Sequence, residues 1–116
     1  MDKRERKYRQ TRYRRELERF LNRLVNFCRS GERTERFESY FARIRRRLEE
    51  TEKIELYGDY FERLERFVQT AQRLAGSEES CESRCEAILR EANLIRKSRR
   101  MRSYNRKEKR ERDEDF

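Results

Sequence analysis

An all-α fold, a small antiparallel four-helix bundle, is predicted by three features of the sequence. There is no Pro, and only three Gly occur in 116 residues. Arg, Glu and Leu, all good helix formers, dominate throughout. Apolar residues recur at three- and four-residue spacing in four stretches, and the three glycines fall between them. Short links between amphipathic helices favour antiparallel neighbours. A three-helix body with a detached fourth helix is the alternative arrangement.

The first helix is expected from about Arg9 to Ser30. Leu17, Phe20, Leu21, Leu24, Phe27 and Cys28 form its apolar face, and Gly31 is its terminator. The second is expected to start near Thr34, an N-cap residue type, with Phe37, Phe41, Ile44 and Leu48 as its stripe and Tyr40 beside it. Ile54, Leu56 and Tyr57 break that stripe, so the helix is expected to fray between Thr51 and Tyr57, with Gly58 as its stop. Asp59 and Glu62 read as a capping pair for the third helix. Its face is Tyr60, Phe61, Leu64, Phe67, Val68, Ala71, Leu74 and Ala75, ending at Gly76. Ser77 is the expected cap of the fourth, with Glu78 and Glu79 in a first turn where they complement the helix dipole. Cys81, Cys85, Ile88, Ala92 and Ile95 give it a 4-3-4-3 stripe joined by Leu89.

Charge divides the chain into three segments. Residues 1–15 hold eight Lys/Arg against two acids, and residues 96–112 hold ten against two. The C-terminal arm, residues 96–116, closes on an acidic end, residues 113–116. The body, residues 16–95, has 15 basic and 17 acidic side chains, so the net charge of +9 belongs to the arms. A body of that size buries a modest fraction of its surface, which makes a homodimer plausible on energetic grounds.

Segregated positive charge points to a polyanionic partner. The N-terminal arm supplies Arg4, Arg6, Lys7, Tyr8, Arg9, Arg12, Tyr13, Arg14 and Arg15, and Arg19 continues it into the first helix. Arg12, Arg15, Arg19 and Arg23 fall along one side, apart from the Leu17/Leu24 face. The C-terminal arm supplies Arg96, Lys97, Arg99, Arg100, Arg102, Tyr104 and Arg106. It either extends the fourth helix or orders on binding. Arg outnumbers Lys by 27 to 6. Guanidinium pairs bidentately with phosphate and stacks on bases, whereas ammonium acts as a point charge. Tyr8 and Tyr13 among the arginines suit stacking on unpaired bases.

Solvation explains most charge in the body. Glu32/Arg36, Glu49/Lys53, Glu62/Arg66 and Glu86/Arg90 have the i,i+4 spacing of helical ion pairs, as does Glu5/Arg9 in the arm. The Arg45-Arg46-Arg47 run, beside Glu49 and Glu50, suits a solvated face as well as a contact patch. Neither reading accounts for the excess in the arms.

Catalysis is not expected. The sequence has no His, no Gly-rich phosphate loop and no serine elbow. Cys81 and Cys85 lie one turn apart on an apolar stripe and read as small core residues; with Cys28 the only other thiol, no metal site or cofactor is expected. An odd number of Cys and no visible secretory signal favour an intracellular setting, cytoplasmic or nuclear, and the Lys97–Arg110 segment resembles a localisation signal. No run of apolar residues suits membrane insertion. The expected function is non-enzymatic nucleic-acid binding, RNA ahead of DNA, through Arg/Tyr-rich arms on a helical scaffold. Neutralising about six phosphates gives a log–log salt slope on the order of −4 to −5. The alternative is a helical adaptor or chaperone-like oligomer with an acidic protein partner, anchored by Tyr40, Tyr57 and Tyr60.

Overall fold

The computed structural model describes residues 2–30 and 35–110, with side chains described as far as Lys97. Four helices, α1 (Lys3–Arg29), α2 (Phe37–Glu49), α3 (Asp59–Ala75) and α4 (Cys81–Arg110), pack around one core as a small four-helix bundle. α1 begins six residues earlier than its apolar stripe requires. The Asp2 carboxylate caps it by accepting from the Arg4 N–H at 3.3 Å, so the basic arm is helical from its start.

Aromatic contacts fix the antiparallel course. Phe20 meets Phe41 edge-on at 5.9 Å and Phe27 meets Phe37 at 6.1 Å, so α2 descends as α1 rises. Phe20 also meets Phe67 of α3 edge-on at 6.1 Å, which places its ring at the junction of three helices. The buried stripe of α4 is the expected one, Cys85, Ile88, Ala92 and Ile95. Arg84 sits at the start of α2, which lies at the level where α1 ends. α4 therefore starts at that level and runs back along α1 as it buries its stripe.

Several boundaries differ from expectation, each for a local reason. α2 opens at Phe37 with Arg36 at its N-cap and no side-chain cap bond; Thr34 and Gly31 lie outside the described residues. α2 stops at Glu49. The linker that follows is extended, and the half-buried Ile54 and Leu56 alternate with the exposed Lys53, Glu55 and Tyr57. Gln10 Nε2 donates to the Glu55 carbonyl at 3.1 Å and Arg9 pairs with Glu52 at 3.1 Å, which lays the linker along α1. The residues that broke the helical stripe thus belong to a different period. Gly58 does not end α2. It is the N-cap of α3, at φ 114°, a conformation that L side chains rarely adopt. Asp59 is the first residue of α3 and forms no cap bond. Gly76 does end α3, in a right-handed conformation.

Ser77 does not cap α4; Ser80 does, its Oγ accepting from the Ser83 N–H at 3.2 Å. Glu78 and Glu79 precede the helix, and Glu82 occupies its first turn. Ser77 closes α3, with its hydroxyl donating to the Leu74 carbonyl at 2.7 Å. Arg84 lies over this turn, only 5% exposed. Its guanidinium donates to Glu38 and to the Ser77 carbonyl, and rests over the Phe37 ring at 5.5 Å.

This buried, bonded cation joins α2 to the α3–α4 turn. Arg84→Met keeps the aliphatic bulk but removes the charged hydrogen bonds, and is expected to cost about 2–3 kcal/mol in a urea titration. The hydrogen bond from Arg84 holds the Glu38 carboxyl below its ordinary range. A lowered acid contributes stability above the ordinary Glu value and loses it as pH falls through the lowered one. Glu38→Gln is therefore expected to flatten the acid limb of the stability profile.

Candidate nucleic-acid interface

The period of α1 sorts the basic arm into faces. Tyr13, Leu17, Phe20, Leu21 and Leu24 turn inward. The opposite side presents Arg4, Lys7, Tyr8, Arg12, Arg15 and Arg19, all exposed. These six line a shallow depression of about 550 Å³ with Thr11 between them and Glu16 at the edge. Fifteen residues separate Arg4 from Arg19, so the strip runs about 22 Å along the helix. Glu16 is engaged by Arg19 at 2.7 Å. Tyr8, 67% exposed, is the aromatic ring within the strip.

Arg6 and Arg9 face away from the strip, and Arg14 flanks it, bordering a separate depression with Lys7 and Thr11. Arg9 pairs with Glu5 at 2.8 Å and with Glu52, Arg14 reaches Glu18 at 3.7 Å, and Arg6 borders the α2–α3 linker beside Lys53 and Glu55. Much of their charge is spent on the bundle. Tyr13, expected beside the arginines as a stacking ring, lies in the core at 6% exposure. Burial first, and then the Glu65 carboxylate, raise its phenol above the ordinary value, so it stays neutral. Among the arm's two tyrosines, only Tyr8 offers a ring to solvent.

A second depression, of about 730 Å³, opens between α1 and α2 and shares Arg12 and Glu16 with the strip. Arg23 comes from α1; Arg43, Arg46 and Arg47 come from α2. The buried Ile44 and half-buried Tyr40 also line it, with Glu50 and Thr51. The Tyr40 hydroxyl donates to the Arg23 carbonyl at 3.2 Å, fixing the ring. Arg43 pairs with Glu35 and lies over Tyr40, 5.0 Å from its centroid. Arg12, Arg23, Arg46 and Arg47 make no ion pair among the described residues. The arginine run on α2 divides here: Arg45 turns to Glu49 at 2.8 Å and rests over Phe41, while Arg46 and Arg47 line the cleft.

Four of the five cleft arginines, Arg23, Arg43, Arg46 and Arg47, lie outside the arms in the sequence. The signal for Arg23 was its i,i+4 step from Arg19 on the same stripe. For Arg43, Arg46 and Arg47 it was helical spacing on one side of α2, which charge counting along the chain averages away against the neighbouring glutamates.

Of the C-terminal arm, Arg96 is half-buried and Lys97 exposed. Arg99, Arg100, Arg102, Tyr104 and Arg106 continue α4 to Arg110, and their side chains lie outside the described residues. The proposed anchors of a protein interface also separate. Tyr57 is 74% exposed, whereas Tyr40 and Tyr60 are half-buried, Tyr60 donating to Glu18. Cys28 and Cys85 are core residues and Cys81 packs at the margin. No group of three metal-ligating side chains occurs among the described residues, and no described helix is long and apolar enough to cross a membrane. No protein-family model matches this sequence, and no curated protein or solved structure matches it either.

Proposed function

We propose that the chain is a non-enzymatic nucleic-acid-binding protein, RNA ahead of DNA, that grips phosphates along the exposed strip of α1. The observation that carries this reading is the strip itself. Arg4, Lys7, Arg12 and Arg15 share one face for about three turns, with no ion pair among the described residues, while Arg9 and Arg14 of the same helix are paired to glutamates. A solvated surface in a chain with 24 acidic side chains would be expected to pair its cations as Arg9 and Arg14 are paired. The spacing suits a phosphate backbone, and Tyr8 adds a ring on which an unpaired base can stack. The antiparallel course of α1 and α4 supports bringing the C-terminal run, Arg96 to Arg106, to the same end of the bundle as the N-terminal arm.

The two tyrosines of the arm test the reading because burial assigns them opposite roles. Tyr8→Ala is expected to weaken binding of a single-stranded RNA about 5- to 100-fold, the range for losing one base–aromatic stack. Tyr13→Phe, which keeps the core ring, is expected to leave binding unchanged. Fluorescence anisotropy at fixed salt measures both. Equal affinities for wild type and Tyr8→Ala would remove the stacking role.

A further inference from the structure

We propose that the cleft between α1 and α2 is a second phosphate site that takes only a single strand, so that single-stranded nucleic acid is the preferred ligand class. This rests on the phosphate-binding role of the α1 strip and specifies what that strip selects.

The cleft has the charge for such a ligand. Five arginines border it against two glutamates; Glu16 is already engaged by Arg19, and Arg43 by Glu35. Arg12, Arg23, Arg46 and Arg47 come from two helices and converge on one space without an ion pair among the described residues. Like charges held together in this way repel one another, and a bound polyanion relieves that repulsion. Arg43 is oriented differently. Its guanidinium lies over the Tyr40 ring, which is itself pinned by the bond to the Arg23 carbonyl, leaving its outer face open to stack on a base. Phosphate-facing cations and a planar stacking surface are the two parts that single-strand recognition combines.

Shape supplies the selectivity. The depression is lined from both helices, by Arg12, Glu16 and Arg23 of α1 and by residues between Tyr40 and Arg47 of α2, so a ligand there lies between two helices rather than on one face. Within its lining Ile44 is buried and Tyr40 half-buried, whereas Arg12, Arg43, Arg46 and Arg47 are exposed. A single strand can lower its phosphates and one base into the cleft. A duplex holds its bases paired inside and its backbones apart, so it meets the α1 strip and the exposed arginines but not the Ile44 and Tyr40 side chains. Sharing Arg12 lets one strand run from the strip into the cleft without a gap.

The test compares the full chain with Arg46→Gln/Arg47→Gln, and with a charge-matched control, Arg63→Gln/Arg66→Gln, on the exposed surface of α3. All four positions are exposed and Gln is a good helix former, so melting curves are expected to coincide. The probes are a single-stranded RNA and a DNA duplex of equal phosphate number. The cleft variant is expected to lose about 25-fold in affinity for the single strand at about 0.1 M salt, to lose less than threefold for the duplex, and to flatten the single-strand salt slope by about 1.4, the value for two phosphates. The control is expected to lose less than threefold on both. Equal losses on both probes, or losses matching the control, would make the cleft a general basic patch and overturn the inference while the strip stands. Absence of binding by the wild type to either probe would overturn both.

Discussion

Replacing Arg12, Arg15 and Arg19 with Glu is expected to weaken single-stranded RNA binding by on the order of 100-fold or more, with helicity unchanged. Each phosphate neutralised on a single strand contributes a salt slope of about −0.7, which at about 0.1 M salt corresponds to roughly 0.7 log unit of affinity per contact. Three lost contacts remove about two log units, and the introduced carboxylates add repulsion. All three arginines are exposed, so the core does not register the change. The matching reversal on the opposite face, Arg6 with Arg9, is expected to have a smaller effect on binding. Neither residue lines the strip, and Arg9 is held by two carboxylates, Glu5 and Glu52, where Arg19 is held by Glu16 alone. Comparable losses from the two faces, measured by anisotropy, would show that total charge governs binding and that the strip has no special role.

Phe20→Ala is expected to produce the largest loss of stability from a single substitution, about 3–5 kcal/mol. The ring is 2% exposed and is touched edge-on by Phe41 and Phe67, so its removal opens a cavity bordered by three helices that cannot all collapse inward. Small domains have total stabilities of about 5–15 kcal/mol. The variant is therefore expected to show a strongly lowered urea midpoint and a substantial unfolded fraction at 37 °C. A loss under about 1 kcal/mol would mean that the three-helix junction is looser than its geometry indicates.

The helical stripes were legible because a 3.6-residue period survives high charge density: the aromatic junction and the Cys85–Ile95 stripe all stood in the sequence. The boundaries were less so, because they depend on tertiary partners. Gly58 reads as a stop in any local window; only the linker's docking on α1, through Gln10 and Arg9, makes it the start of α3. Ser77 and Ser80 are equally good caps by residue type. Ser77 is drawn to the end of α3 by Leu74 and Arg84, leaving Ser80 to α4.

The candidate site was half legible for the same reason. A count of charge by segment finds the arm but not its faces. The face of Arg12, Arg15 and Arg19 follows from helical period alone, whereas Arg9 and Arg14 look equivalent to them until the linker and Glu18 are in place. Tyr13 shows the same limit. An aromatic between two arginines reads as a stacking ring, yet its position four residues before Leu17 puts it on the core stripe. The cleft required the packing of α2 on α1, which joins residues 17 or more positions apart.

The salt dependence of binding by the full chain tests the phosphate-binding role most directly. Anisotropy titrations of a labelled single-stranded RNA at several salt concentrations between about 50 and 200 mM give the log–log slope. Five cations of the strip and those of the cleft are expected to engage about six phosphates or more, giving a slope of about −4 or steeper. A slope no steeper than about −1, or no binding at the lowest salt, would contradict a phosphate-gripping role for α1 and direct attention to protein partners of the bundle.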